Sequence, residues 1–260
     1  MEAHKPTTQA AAWSGQELAN PHANPGKPEK VRRMFAAIAR SYDLNNRLHS
    51  LGRDQAWRKY AVRTAGVQPD QTVLDVACGT GDLTQAFAAS PAAHVTGLDF
   101  TQEMLDVAEH KRSRLSEKLA NKIFYQQADA QQLPYEAASF DVVSIAFGIR
   151  NVGDPARALA EFARVLKPAG RLVILEFDRP RLPLLGLFND FYCGWIMPRT
   201  ATLISGDRSG AYRYLPKSVG AFWSREQLME QMGDAGFAPV TAQALTMGIC
   251  MCYLGVRTGD

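Results

Sequence analysis

Cysteine is scarce in this chain. The four cysteines in 260 residues (Cys78, Cys193, Cys250 and Cys252) form no Cys-x-x-Cys pair and have no histidine at metal-ligand spacing. A disulfide framework and a structural zinc site are excluded, and a reducing cytosol is the expected compartment. Cys250 and Cys252 alternate as inward side chains of one strand would, so both are expected in a core. Long apolar runs are lacking too. The most apolar window, residues 182–198, is broken by Asn189 and Asp190 and falls short of the ~20 residues a membrane span needs. No N-terminal stretch has the apolar core of a signal peptide. Nor does one charge predominate: 29 Lys and Arg stand against 26 Asp and Glu, a balance that gives no reason to expect nucleic acid. Histidine numbers five, and none lies beyond His110.

What is present reads as an ordinary globular protein, 46% apolar and 21% charged. The basic character is concentrated: residues 31–64 hold eight Arg and Lys against two Asp. Residues 1–28, rich in Ala, Pro, Asn, His and Gly without periodicity, are expected to be a disordered tail. Val31, Met34, Phe35, Ile38 and Tyr42 then mark one amphipathic helix, with a loop or short helix over Asn45–Arg53. Strands are expected near 72–77, 94–98, 123–127, 140–147 and 171–177, with helices between them, and two more near 240–245 and 250–256. The fold class is therefore α/β: a doubly wound, seven-stranded, Rossmann-like sheet with an N-terminal helical cap. One domain, 29–258, divides into a cap (29–66), a cofactor-binding half (67–178), a substrate-side insertion (179–222) and a C-terminal helix with strands (223–258).

The strongest local signal is Val73-Leu74-Asp75-Val76-Ala77-Cys78-Gly79-Thr80-Gly81-Asp82-Leu83-Thr84. A strand runs into a Gly-x-Gly turn and then a helix, at the edge where open α/β sheets bind ligands. The dinucleotide fingerprint is incomplete, because Thr84 stands where its third small residue belongs. Asp82 also places a carboxylate where a pyrophosphate would lie. A cofactor without phosphate fits better. Asp99 ends the second strand, placed to accept from two ribose hydroxyls, and Asp129-Ala130 closes the third, where a carboxylate and a backbone N–H can read an adenine edge. A nucleoside without phosphate but with a cationic amino-acid tail is S-adenosylmethionine. The chain here resembles the class I methyltransferases, with Asp75 near the ammonium, Gly79, Thr80 and Gly81 under the cofactor, and Asp99 on the ribose.

The loop after the fourth strand narrows the acceptor. Phe147-Gly148-Ile149-Arg150-Asn151 contains no Asn/Asp-Pro-Pro-aromatic run of an amino-methylase, and no later loop carries a histidine base. Tyr42-Asp43-Leu44, Phe147 to Asn151, Arg164-Val165-Leu166-Lys167-Pro168 and Tyr212-Arg213-Tyr214-Leu215 resemble the ubiquinone/menaquinone biosynthesis C-methyltransferase family over about residues 31–257. That resemblance implies methylation of a ring carbon on a polyprenylated quinol such as demethylmenaquinol, with Thr80, Asp99, Asp129 and Ala130 on the cofactor. In the cap, Asn45, His49 and Asp54 depart from the family's usual residues, as do Ala146, Ala169 and Asp178 elsewhere.

Ring-carbon methylation needs an ionised hydroxyl, and phenols titrate near pH ~10. Arg150 is the expected phenolate partner, with Asn151 orienting the ring oxygen and Tyr42, Asp43, His49 and Tyr212 as lesser candidates. No metal is required. The basic cap is expected to meet an anionic membrane surface from the cytoplasmic side, and the window Leu184, Leu185, Leu187, Phe188, Phe191, Tyr192, Trp195, Ile196 to form an isoprenoid groove. A homo-oligomer is compatible with the sequence. The alternatives left open are a methyltransferase for another small aromatic or lipid acceptor, a nicotinamide oxidoreductase, and a non-catalytic cofactor-binding protein.

Overall fold

The computed structural model describes residues 13–181, 192–205 and 210–259. At its centre lie β1 (Thr72–Val76), β2 (His94–Asp99), β3 (Ile123–Gln127), β4 (Phe140–Ala146), β5 (Leu166–Phe177), β6 (Phe237–Leu245) and β7 (Cys250–Arg257). They form one sheet in the order β3-β2-β1-β4-β5-β7-β6. The first five are parallel, their connections long enough to cross back over the sheet. β7 runs antiparallel to both β5 and β6. All seven expected strands form, and the sheet is mixed because only the short turn Thr246–Gly248 joins β6 to β7.

The remaining elements are α1 (Gly15–Ala19), α2 (Lys27–Ile38), α3 (Tyr42–His49), α4 (Arg53–Ala65), α5 (Asp82–Ala88), α6 (Gln102–Arg112), α7 (Glu117–Ala120), α8 (Pro155–Val165), α9 (Met197–Ser205), α10 (Ala211–Ala221) and α11 (Arg225–Asp234). Alternation along β1 divides the core. Leu74 and Val76 face a cluster with Leu159 and Phe162 of α8 and Leu228 and Met232 of α11. Val73 faces the other layer with Trp57 of α4, Phe87 of α5 and Leu105 of α6. Each such side chain contributes about 1.5–3 kcal/mol on burial. Cys250 and Cys252 are buried in the second cluster, as their alternation implied.

The N-terminal region departs from the sequence expectation. Trp13 is 4% exposed and stacks on Tyr214 of α10 at 4.6 Å between ring centroids. Ser14 and Glu17 form a capping box on α1, and the His22 ring bonds the Ser218 carbonyl at 2.8 Å. Residues 13–28, expected in a disordered tail, thus form an ordered strap. One buried aromatic outweighs a composition that otherwise reads as linker. Residues 1–12 of the expected tail lie outside the described residues.

The single helix expected through Tyr42 is two. α2 ends at Ile38, and α3 occupies much of the stretch expected as a loop or short helix. The break turns Tyr42 inward to pack edge-on against Phe35 at 6.0 Å. Of the expected isoprenoid groove, Leu184, Leu185, Leu187, Phe188 and Phe191 lie outside the described residues, while Tyr192–Ile196 form one π-type turn before α9. Among the described residues, no helix is long and apolar enough to cross a membrane.

Candidate active site

The turn from β1 to α5 carries left-handed backbone at Ala77 (φ 50°), Gly79 (φ 56°) and Gly81 (φ 82°). The two glycines do different things. A Cβ on Gly81 would overlap the Tyr125 hydroxyl of β3, so this glycine lets the turn pack against the sheet. A Cβ on Gly79 would meet only Tyr42 Cε1, 4.0 Å away, so this glycine leaves bare backbone on a cavity floor. Asp99, at the end of β2, accepts from the Gly79 N–H at 2.8 Å through Oδ2 and from the Thr101 N–H at 2.8 Å through Oδ1. Burial raises its pKa, and these bonds oppose the rise. Asp129 likewise accepts from the Gln131 N–H at 2.9 Å.

Above these strand ends lies an open cleft of about 780 Å³, its mouth included. Its floor and rim include Ala77, Gly79, Asp99, Asp129, Ala130 and Ala146. Its roof is Val31, Arg32 and Phe35 of α2 with Tyr42 of α3, and Phe147, Gly148 and Asn151 close one side. Of the roof, the sequence singled out Tyr42 and missed Val31, Arg32 and Phe35. The periodicity of Val31, Met34 and Phe35 announced an apolar face without saying what it covers. Among the described residues, no group of His, Cys, Asp and Glu could hold a metal ion.

Six sequence-selected residues therefore meet at the cleft: Tyr42, Gly79, Asp99, Asp129, Ala130 and Asn151. Others stand behind it. Gly81 faces Tyr125. Asp75 is 1% exposed and accepts from Thr84 Oγ1 at 2.7 Å and Ser144 Oγ at 2.8 Å, with burial pushing its pKa up to about 6. Thr80 donates its hydroxyl to Asp43 of α3 at 2.5 Å. Asp43 also accepts from Lys111 at 2.7 Å, and Lys111 pairs in turn with Asp82. Arg47 bridges Asp82, at 2.6 Å, to Asp54, which Arg58 also holds. This chain of charges clamps α3 and α4 onto the β1–α5 turn. Burial alone would raise the pKa of Asp82, but Lys111 and the neighbouring arginines hold it down to about 2. Asp82 is thus neutralised by cations, and it opposes a phosphate less than its place in the sequence suggests.

Arg150 is also set back from the cleft. It is 4% exposed, and its Nη1 donates to Glu176 Oε1 at 2.5 Å and to the Phe147 carbonyl at 2.7 Å. Its Nε donates to Ser218 Oγ at 3.3 Å. The guanidinium expected to face a phenolate is instead committed to a buried carboxylate and a loop carbonyl. Asn151 donates to that same carbonyl at 3.2 Å and accepts from the Tyr214 hydroxyl at 3.1 Å. Together the two side chains brace Phe147 in a left-handed conformation (φ 59°), stacked on Phe177 at 4.5 Å. Among the lesser candidates, Tyr42 lines the cleft, while His49 bonds the Tyr192 hydroxyl at 3.0 Å and Tyr212 is buried against the cap.

The cleft thus opens at the strand ends of a seven-stranded β3-β2-β1-β4-β5-β7-β6 sheet. The model of the ubiE/COQ5 methyltransferase family matches residues 24–257. The chain belongs to that family. A ubiquinone/menaquinone biosynthesis C-methyltransferase of Ectopseudomonas mendocina is 42% identical over 89% of this chain and 90% of its own. A demethylmenaquinone methyltransferase of Deinococcus radiodurans is 44% identical over 88% and 93%. Solved structures share the fold at lower identity. A methyltransferase of Thermotoga maritima superposes with a TM-score of 0.61 at 19% identity, over 88% of this chain and 100% of that one. A phosphoethanolamine N-methyltransferase of Haemonchus contortus, bound to S-adenosylhomocysteine, has a TM-score of 0.57 at 16% identity, over 78% and 53%. Tyr42, Asp99 and Asn151 thus line the cleft of a ubiE/COQ5 family member.

Proposed function

We propose that this protein transfers a methyl group from S-adenosylmethionine to a ring carbon of a polyprenylated quinol, demethylmenaquinol being the first acceptor to consider. The observation that carries the reading is the cleft itself, which has bare backbone at Gly79, a carboxylate at Asp99 and an apolar, aromatic roof of Val31, Phe35 and Tyr42.

The residues present fit the cofactor. Gly79 leaves open the space a side chain would fill, and each Asp99 oxygen keeps a lone pair beyond its backbone bond to accept a ribose hydroxyl. Asp129 and the Ala130 N–H would read the adenine edge, with Leu98 and Met104, which line the same cleft, as apolar walls. When bound, S-adenosylmethionine supplies the electrophilic methyl group. Phe35, Tyr42 and Phe147 keep water from the reacting atoms, and a dry wall favours a step in which opposite charges disappear. Asn151 orients the acceptor's oxygen. Arg150 becomes a positioning residue: it fixes the Phe147 carbonyl, on which Asn151 also rests. Alignment of this kind draws on the ~7–11 kcal/mol that orientation offers.

The cofactor half of this reading is tested by calorimetric titration. Asp99→Ala should weaken S-adenosylmethionine binding by about ten- to a hundredfold, the value of one charge-assisted hydrogen bond. Binding equal to wild type contradicts the assignment.

A further inference from the structure

We propose that the outer face of α3 and the turn after it dock on an anionic lipid bilayer. α3 turns Tyr42 into the cleft and buries Asn45, while Leu44 and Leu48, one helical turn apart, are 61% and 49% exposed. Leu51 continues the stripe. It is 86% exposed and held at φ 52°, a conformation that a branched side chain adopts only under strain. Single exposed leucines are ordinary; three on one stripe, one of them on strained backbone, make a continuous apolar edge. α9 packs against α3 and adds Leu203, 85% exposed. Just before it, Trp195 is 54% exposed, with the Arg199 guanidinium 4.4 Å from its ring.

The charge around this edge selects the occupant. Arg40 and Arg53, at the two ends of the α3 segment, and Arg199 are exposed. The acidic residues of the same stretch are turned inward, Asp43 to Thr80 and Lys111, Asp54 to Arg47 and Arg58. An apolar stripe rimmed by cations alone fits the boundary between acyl chains and anionic headgroups. An aromatic ring stacked under a guanidinium belongs at the same depth. The helix that would lie on the lipid is also a wall of the cleft, so a polyprenylated acceptor reaches the site without crossing water. For that last point the inference rests on the proposed acceptor; the surface itself does not.

The test is flotation with phosphatidylcholine vesicles containing about a third phosphatidylglycerol, compared with phosphatidylcholine alone. Wild type should float with the anionic vesicles and lose binding as salt rises. The variant L44Q/L48Q/L51Q should lose at least about tenfold of its partition while keeping its melting temperature and its turnover of a water-soluble, short-tailed quinol. Wild type that does not float, or a triple variant that binds within about twofold of it, overturns the proposal. So does sedimentation showing that wild type pairs with a second copy through this face and the variant does not. An unmethylated short-tailed quinol alongside intact vesicle binding overturns the proposed reaction instead and leaves the surface standing.

Discussion

Arg150 and Glu176 form an ion pair 2.5 Å long with both side chains all but excluded from solvent, and the pair stands behind the cleft wall. Burial raises the pKa of Glu176, while the Arg150 charge and the Phe177 N–H pull it back. Removing one partner of such a pair costs more than removing both. Arg150→Met should therefore destabilise the fold by about 3–5 kcal/mol, roughly a ten-degree loss in melting temperature. Arg150→Met/Glu176→Gln should recover part of that loss. Thermal melts decide it: a single variant that melts like wild type yet loses turnover would return Arg150 to the phenolate.

Gly79 and Gly81 should separate under the same substitution. Gly79→Ala meets open space, so its cost to the fold is about the 1–3 kcal/mol of left-handed strain. Cofactor affinity should fall further, because the new methyl enters the cleft. Gly81→Ala must displace Tyr125 and should lower stability more than Gly79→Ala does. Paired melts and titrations read the contrast, and equal profiles for the two variants contradict it.

Asp75 gives stability a pH dependence. Burial pushes its pKa up to about 6, partly opposed by the Thr84 and Ser144 hydroxyls. The native state therefore holds a proton that the unfolded chain, titrating near 4, has lost. Stability should fall by up to about 3 kcal/mol as pH rises from about 4 to about 6. Asp75→Asn removes this slope, since the Thr84 and Ser144 hydroxyls can turn to suit an amide. Urea unfolding at several pH values should show the variant gaining on wild type as pH rises; parallel profiles contradict the assignment.

Asp43 joins the cap to the cofactor turn, accepting from Thr80 and Lys111. Asp43→Ala should loosen α3 from the turn and weaken cofactor binding by about tenfold, one charge-assisted bond. Limited proteolysis should then cut between α2 and α4 sooner than in wild type. Unchanged affinity and cleavage would show that the clamp is ornamental.

The strands were legible because a short apolar run such as Val73–Val76, bounded by turn residues and buried on both faces, fits a central parallel strand. Asp99 and Asp129 were legible because carboxylates at successive strand ends share one edge of the sheet. Thr80 and Arg150 turn their side chains to Asp43 and Glu176, which the sequence could not show: it locates a residue on its loop but not which way its side chain turns. Glu176 and Lys111 act through partners far away in the chain, a pairing that local spacing cannot carry. The strap at 13–28 was hidden because its anchor, Trp13, packs on Tyr214 far along the chain, a contact that local spacing cannot show.

Methyl transfer to an electron-rich ring in this cleft is open to a direct assay. The protein is incubated with S-adenosylmethionine carrying a deuterated methyl group and with chemically reduced demethylmenaquinol, the oxidised quinone serving as control. Mass spectrometry should find a product labelled on the ring carbon from the quinol and none from the quinone. Label on an oxygen, equal label from both oxidation states, or no label while the cofactor still binds would contradict the proposed reaction.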